Sequence, residues 1–308
     1  MLDVRKMRLL RELARLGTVV AVADALSYTP SAVSQQLSAL EREAGVPLMK
    51  RSGRGVVLTA AGADLAERAG PVLALLEEAS AALAAARSEL TGELRIGAFP
   101  TAVRTLLPAA LVALGAEHPR LELHVTELDP AAVPDALRTG ALDIALVHEY
   151  DYVPAAPDPA LETLSLLTET IFLATPEPGR ASLEDCAAAP WIVGSPGTLC
   201  NLMAVRLCQS AGFTPRIRHF ADDFAAVLIL VAAGQGVALV PELALADCPA
   251  AVALTALPAR RRTLIACRAG AAGHPANSAC AAALQSAAAA YVRPPRVRGP
   301  GRHRRQPR

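Results

Sequence analysis

Ser31, Ser34, Gln35 and Ser38 stand three and four residues apart, and each carries a short hydrogen-bonding side chain. On a helix that spacing gathers them on one face, with Arg42 at its far end. Val33, Leu37, Leu40 and Ala44 recur on the other face at steps of four, three and four, the pattern of a buried side. A helix packed on one side, with small donors and acceptors on the other, suits insertion into a DNA major groove. The chemistry to expect is recognition of base edges. A second set, Lys50, Arg51 and Arg54, offers cations to phosphates or to a narrow minor groove.

Particular elements must hold these groups. Thr29 is placed as an N-cap, with Pro30 at the first helical position, where its missing N–H costs nothing. A shorter helix over 19–26 precedes it, with Ser27-Tyr28 as the turn. The pair reads as a helix-turn-helix, although an amphipathic helix hairpin with a solvated polar face shares the pattern. Residues 45–59 then read as a hairpin: an apolar strand start, a basic Gly-containing turn over 51–55, and the β-branched Val56-Val57. A hairpin directly after a recognition helix is a wing.

Charge supports this reading. Residues 1–58 hold nine Lys/Arg against five Asp/Glu, residues 59–292 fourteen against twenty-four, and the last sixteen residues seven Arg and no acid. A net charge of +1 therefore conceals a basic head, an acidic body and a basic tail. No apolar run reaches the ~18 residues of a membrane helix, and the charged amphipathic N-terminus is unlike a signal peptide. A cytoplasmic protein is expected. The six cysteines (186, 200, 208, 248, 267, 280) show no CxxC pair and no His partner at metal-ligand spacing. Reduced, partly buried thiols are expected, with a redox-sensing Cys200–Cys208 pair as the alternative. There is no Gly-x-Ser-x-Gly elbow, metal cluster or phosphate loop, and Ser195 lies in a GSPG turn with no His tied to it. Neither catalysis, a cofactor nor a metal is expected.

From Thr59, a capping residue, Leu65, Ala69, Val72, Leu76, Ala79, Leu83, Ala86 and Leu90 step by four and three. That seam predicts a linker helix over 59–91 that pairs with a second copy, bent or weakened at Gly70-Pro71 and ended by Thr91-Gly92. A helix lying on its own domain is the plainer reading. Beyond it the pattern is α/β. Strands over 93–98, 121–128 and 143–147 alternate with helices over 101–116 and 131–139, with Gly140 as a helix stop. A second block has strands over 169–176, 190–198, 214–222 and 237–241, with helices near 200–211 and 224–233. A strand over 262–268 and an Ala-rich helix over 277–292 follow. Two α/β lobes with a cleft between them form a small-molecule binding architecture.

Taken together, the chain resembles the LysR-type transcriptional regulators from Leu2 to about Val292. The resemblance rests on AVADALSYTPSAVSQQLSALEREAGVPLMKR, LTAAG at 58–62 and GELRIGAF at 92–99, then on LRTGALDIALV at 137–147, PWIVGSPGT, SAGFTPRI at 210–217 and VAAGQGVALVPELAL at 231–245. It implies a winged helix-turn-helix over 1–58, a linker helix over 59–91 and a two-lobed, periplasmic-binding-protein-like effector domain over 92–292. Lobe I would take 92–167 and 266–292 and lobe II 168–265, with crossings near 166–168 and 264–266. It also implies a homodimer or homotetramer on double-stranded promoter DNA, with RNA polymerase as a further partner. The DNA-binding positions would be Thr29, Pro30, Ser31, Ser34, Gln35, Ser38, Lys50, Arg51 and Arg54. Val19 and Met49 stand where the family often has aromatics, and Gln35 where it frequently has Arg. Gln reads adenine bidentately, so the operator sequence is the property this departure alters. The tail over 293–308 lies outside the resemblance, as a disordered end or an auxiliary DNA contact.

By the same resemblance, a small-molecule effector would sit between the lobes. The matching positions are Phe99, Pro100, Thr101 and Ala102 after the first strand, Glu127 after the second, and His148 and Glu149 after the third. In the other lobe they are Ser195, Gly197, Thr198 and Asp222. Thr101 and Thr198 could hold a carboxylate or another anion, whereas His148, Glu149 and Asp222 could select an amine. The alternative function is a solute-binding protein of a transport system. The two lobes suit it, and the helix-turn-helix head does not.

Overall fold

The computed structural model describes residues 1–52, 55–87, 89–154, 158–176 and 182–291, so Arg54 and the Arg-rich tail lie outside the described residues. Three helices open the chain: α1 (Val4–Leu16), α2 (Val19–Ala25) and α3 (Pro30–Ala44). Each starts on a side-chain cap, with Asp3, Thr18 and Thr29 accepting from the N–H of Arg5, Ala21 and Ala32. They close on a cluster centred on Leu10, Leu13, Val22, Val33, Leu37 and Leu40. An antiparallel hairpin follows, β1 (Met49–Ser52) with β2 (Gly55–Leu58), pairing Met49 with Leu58 and Ser52 with Gly55. These elements are the winged helix-turn-helix that the capping and turn residues predict.

The wing is fastened to the next helix, α4 (Ala60–Ala85), by backbone contact. Thr59 caps α4 through the Gly62 N–H at 3.1 Å, donates its hydroxyl to the Pro47 carbonyl at 2.8 Å, and gives its own N–H to the Leu48 carbonyl at 2.9 Å. A Cβ on Gly62 would stand 2.0 Å from that Leu48 oxygen. Hence the Thr and Gly of the LTAAG motif: one caps, the other allows the close approach.

α4 differs from the expected linker in two respects. Its helical part closes at Ala85, where Ala86 N–H bonds back to Ala82, and the chain turns into β3 (Gly92–Ala98) without extending the helix to Leu90. The seam is also divided. Leu65, Ala69 and Val72 pack into the winged core, while Leu76 and Leu83 are 47% and 75% exposed. Pro71 sits inside the helix without ending it. The bond it forfeits is to the Glu67 carbonyl, and Glu67 is solvent-exposed, so water can take that group.

The remaining chain builds a six-stranded mixed sheet in the order β4-β3-β5-β10-β6-β9. β3, β4 (Leu121–Glu127) and β5 (Ile144–Tyr150) are parallel, as the βα spacing predicts. Their crossovers are α5 (Pro100–Thr105), α6 (Leu107–Glu117) and α7 (Val133–Thr139). The single helix expected over 101–116 is stepped at Leu106, because Pro108 has no N–H to offer the Arg104 carbonyl. β6 (Leu161–Thr175) and β10 (Ala253–Arg268) are much longer than the strands expected at 169–176 and 262–268, and they pair antiparallel along their length. β9 (Ala238–Pro241) joins the outer edge of β6. A separate parallel pair, β7 (Pro190–Val193) and β8 (Arg216–Phe220), belongs to the second lobe with α8 (Leu199–Ser210) and α9 (Phe224–Ala232). An apolar core with α10 (Pro275–Tyr291) among its walls packs one face of the first lobe and a smaller one around Val133 and Leu137 the other; the second lobe has a core around Trp191 and another around Val227 and Val231.

α4 also rests on the first lobe. Gly270 lies so close that a Cβ would meet the Ala74 carbonyl oxygen at 2.2 Å. Beside it Arg268 donates to Glu77 at 2.8 Å, and Arg15 of α1 pairs with Asp135 of α7 at 2.9 Å.

Replacing Gly62 by Ala should lower the stability of the head by about 1–3 kcal/mol, because backbone and not a flexible side chain blocks the new methyl. Gly115→Ala in α6, where a Cβ meets nothing within 4 Å, is the control and should be neutral or slightly stabilising. Circular-dichroism melts of both variants against the parent test this.

Candidate DNA-reading surface and interlobe site

The surface of α3 follows from its capping. Thr29 Oγ1 accepts from Ala32 N–H at 3.2 Å and lies 3.0 Å from Ser31 Oγ, which fixes the first turn. Thr29, Pro30, Ser31, Ser34, Gln35 and Ser38 are all exposed, opposite the buried Val33, Leu37 and Leu40. Glu41, on the flank, holds the base of the wing: its Oε1 accepts from Leu48 and Met49 N–H, each at 2.9 Å. Lys50 and Arg51 are exposed on β1, next to the helix they would assist. Nine expected DNA-binding positions thus reduce to eight that can be placed, all on the solvent side, with Arg54 outside the described residues.

The second site lies where strand ends of both lobes meet. A cavity of about 230 Å³ is lined by Phe99, Pro100, Thr101, Glu127, His148, Thr198 and Asp222, seven of the expected effector positions. Four others are not in its lining. Ala102 is buried in the first-lobe core. Glu149 follows His148 on β5, so it points to the opposite face, where Arg262 donates to it at 2.7 Å. Ser195 gives both its N–H and its hydroxyl to Asp222, at 2.7 and 2.6 Å. Gly197 carries the turn before α8 in the left-handed conformation (φ 92°).

The cavity also holds residues outside the sequence expectation: Leu128, Asp129, Pro130, Cys200, Phe224 and Arg261. Arg261 is fully buried and donates from Nε to Glu169 at 2.7 Å. Its Nη1 and Nη2 have no hydrogen-bond partner. The Phe99 ring lies 5.0 Å from the guanidinium carbon. A signal for Arg261 was present in the sequence, because Leu257, Ala259, Arg261, Thr263 and Ile265 alternate inward along β10. The strand expected over 262–268 begins one residue too late to include it, and three consecutive arginines hide the alternation.

Burial, aided by the nearby Arg261, holds the His148 imidazole well below its usual pKa. The ring packs edge-on against Phe99 and Tyr150, at 4.8 and 5.1 Å between centroids, and its Nδ1 has no partner. Burial pushes the Tyr150 hydroxyl well above its ordinary range and the Cys200 thiol up as well; the two groups lie 3.2 Å apart. Cys208, in the second-lobe core, is pushed up to about 12 by burial. These thiols stay protonated and poorly nucleophilic. The cleft offers hydrogen bonds, one buried cation and apolar walls, and so it is equipped for binding.

Two family models account for nearly the whole described chain. Residues 4–63 match the bacterial regulatory helix-turn-helix protein of the lysR family, and residues 87–289 match the LysR substrate binding domain. The chain belongs to the LysR family. It is a LysR-type, DNA-binding transcriptional regulator with an effector-binding domain, and the solute-binding alternative gives way to the helix-turn-helix match at its head. Among its relatives is a probable hydrogen peroxide-inducible genes activator of Streptomyces viridosporus, 34% identical over 261 residues, or 78% of this chain and 81% of that protein. The HTH-type transcriptional regulator IlvY of Escherichia coli is 29% identical over 267 residues, covering 86% of this chain and 88% of its own. A cysteine variant of OxyR from Corynebacterium glutamicum superposes with a TM-score of 0.56 and 28% identity, over 94% of each chain. Full-length CbnR in complex with its target DNA shares the fold, at a TM-score of 0.52 and 23% identity over 93% of this chain and 100% of that one.

His148 gives this LysR regulator an acid-sensitive point. Its folded pKa lies below the unfolded value of about 6.5, so beneath that pH the unfolded chain takes up a proton that the folded chain refuses. Stability present above pH ~6.5 should therefore fall by about 1 kcal/mol for each pH unit below it. Melts of the parent and His148→Gln between pH 7.5 and roughly 5 should show a smaller acid loss in the variant.

Proposed function

We propose that this regulator reads promoter DNA through the exposed face of α3 and the wing, as a symmetric oligomer, and that a small-molecule effector bound between the lobes sets its activity. The observation that carries the reading is the exposed row Ser31, Ser34, Gln35 and Ser38 on a helix whose other side is sealed in the head core. Lys50 and Arg51 supply the phosphate contacts that make binding salt-sensitive. A relative has been solved on its target DNA, which supports the same use of this head. Ser34 and Gln35 supply the base contacts, and Gln35 favours adenine. The protein works in the cytoplasm and meets RNA polymerase at the promoter. No helix among the described residues is long and apolar enough to cross a membrane.

The linker divides its labour. The part of α4 nearest the head completes the winged core, and the exposed Leu76–Ala79–Leu83 stripe pairs with a second copy. Two recognition helices held in this way address half-sites about one helical turn apart. Switching then requires an effector that binds one quaternary arrangement better than the other.

Fluorescence anisotropy with the DNA upstream of the protein's own gene, against a scrambled duplex and across salt concentrations, tests the DNA reading. Preferential, salt-sensitive binding should fall on the order of tenfold or more in a Ser34→Ala/Gln35→Ala variant. Equal weak binding to both duplexes, unchanged in the variant, would remove the base-reading role of α3. The linker reading predicts that Leu76→Glu/Leu83→Glu, at surface positions that leave the folded chain intact, shifts sedimentation toward smaller species. An unchanged sedimentation coefficient would place the dimer contact elsewhere.

A further inference from the structure

We propose that the interlobe cleft takes a small monocarboxylate, its carboxylate gripped by the two Nη groups of Arg261. The inference rests on the reading of that cleft as the effector site and names the class of molecule it receives. Arg261 is fully buried, yet only its Nε is engaged, by Glu169 Oε1 at 2.7 Å. Nη1 and Nη2 are shut off from bulk water and unpartnered, while the side chain lines the cleft. Buried charged donors left unmade are costly, and a ligand acceptor removes that cost.

Among the described residues, no neighbour supplies a second anion to the two Nη groups. Glu169 spends its second oxygen on the Leu243 N–H at 2.7 Å. The Tyr150 hydroxyl, 3.2 Å from the Cys200 thiol, also faces the guanidinium but is uncharged and can answer at most one of its donors. His148 is uncharged and offers no anion. Meanwhile the guanidinium is held by the Nε bond and by the Phe99 ring 5.0 Å away, so its free fork is set before any ligand arrives. A planar fork with two free donors matches a carboxylate bidentately. The first turn of α8 opens on the same cleft through Thr198 and Cys200, and its electropositive end adds to the attraction.

The rim restricts the ligand further. Glu127, Asp129 and Asp222 line the same cleft and are exposed, so its outer end is acidic. A second carboxylate projecting outward would meet like charge, which selects a monoacid over a diacid. The cavity of about 230 Å³ falls below the roughly 300–1,000 Å³ of drug-sized sites, so the acid is small.

Isothermal titration calorimetry and thermal shift on the full-length protein, with chemically paired probes at millimolar concentration, test the proposal. Benzoate is set against benzamide, 3-methylbutanoate against its amide, with succinate as the diacid and benzylamine as the amine. At least one monoacid should bind and raise the melting temperature, its amide should not, and succinate should be weaker. Arg261→Lys should weaken the acid on the order of ten- to hundredfold. The Glu169→Gln/Arg261→Gln variant, which buries no lone charge and keeps two amides opposed at the same register position, should do the same, with retention of the fold checked by circular dichroism. Equal binding of acid and amide, acid binding that survives the double substitution, or no stabilisation by any monoacid would overturn the proposal. A Thr198→Tyr variant, which fills the cleft, separates the two readings. If benzylamine alone binds and this variant abolishes it, the cleft remains a ligand site and only the carboxylate assignment falls. If a probe binds and Thr198→Tyr leaves it untouched, the cleft itself is the wrong place.

Discussion

The buried pairing of Arg261 with Glu169 fixes the register on which the effector half of the chain depends. The two residues are directly opposed across β10 and β6, and both are almost wholly removed from water. Separating such a pair leaves an uncompensated buried charge, at a cost of about 3–5 kcal/mol. A one-residue slip of either strand would turn one of the two side chains to the other face and impose that cost. β6 and β10 thereby lock from Ala253 opposite Thr175 to Arg268 opposite Leu161, with bulges at Ala256/Arg260 and Thr263/Leu264. β5 joins β10 on one side and β9 joins β6 on the other. Both lobes are therefore built on the strands that this pair aligns, and its arginine lines the cleft between them.

The sequence made the head legible because its signals are local. Caps, a Pro at the first helical position and an apolar 3.6-residue period act within a few residues, and Thr29, Pro30, Val33 and Leu37 stand where those rules put them. The effector half was legible in its element order and less so in its element lengths. β10 begins nine residues before the expected start at 262, since Pro258 and three consecutive arginines imitate a turn. The bulge at Ala256/Arg260 is how the sheet accommodates that proline. Of the cleft, strand-end positions could be carried over by resemblance. The residue with the largest unmet bonding capacity could not, because its role is set by a cross-strand partner ninety-two residues away. Tertiary partners of that kind leave no trace in a local window.

α4 links the two halves through three different surfaces. Its first turns finish the hydrophobic core of the head, its middle lies on the first lobe, and its Leu76 and Leu83 side chains remain in solvent. Arg268 ties these together: it bonds Glu77 of α4 and, through Nη1, the carbonyls of Leu137 and Leu142 at 3.2 and 2.9 Å. Since Arg268 is the last residue of β10, it stands at the end of the same strand that carries Arg261. One strand thus runs from the cleft to a side chain that grips the linker.

The contact between Gly270 and Ala74 gives this arrangement an unusual tolerance and an unusual limit. Two backbones touch there, with no side chain between them. Residues elsewhere on the two surfaces can drift in evolution without loosening the joint, provided position 270 keeps a hydrogen in place of a methyl. A chimaera that grafts a foreign sensory module onto this head inherits the same condition. Its compatibility would turn less on matching the pattern of charges at the seam than on whether the donor module presents a bare backbone at that single point.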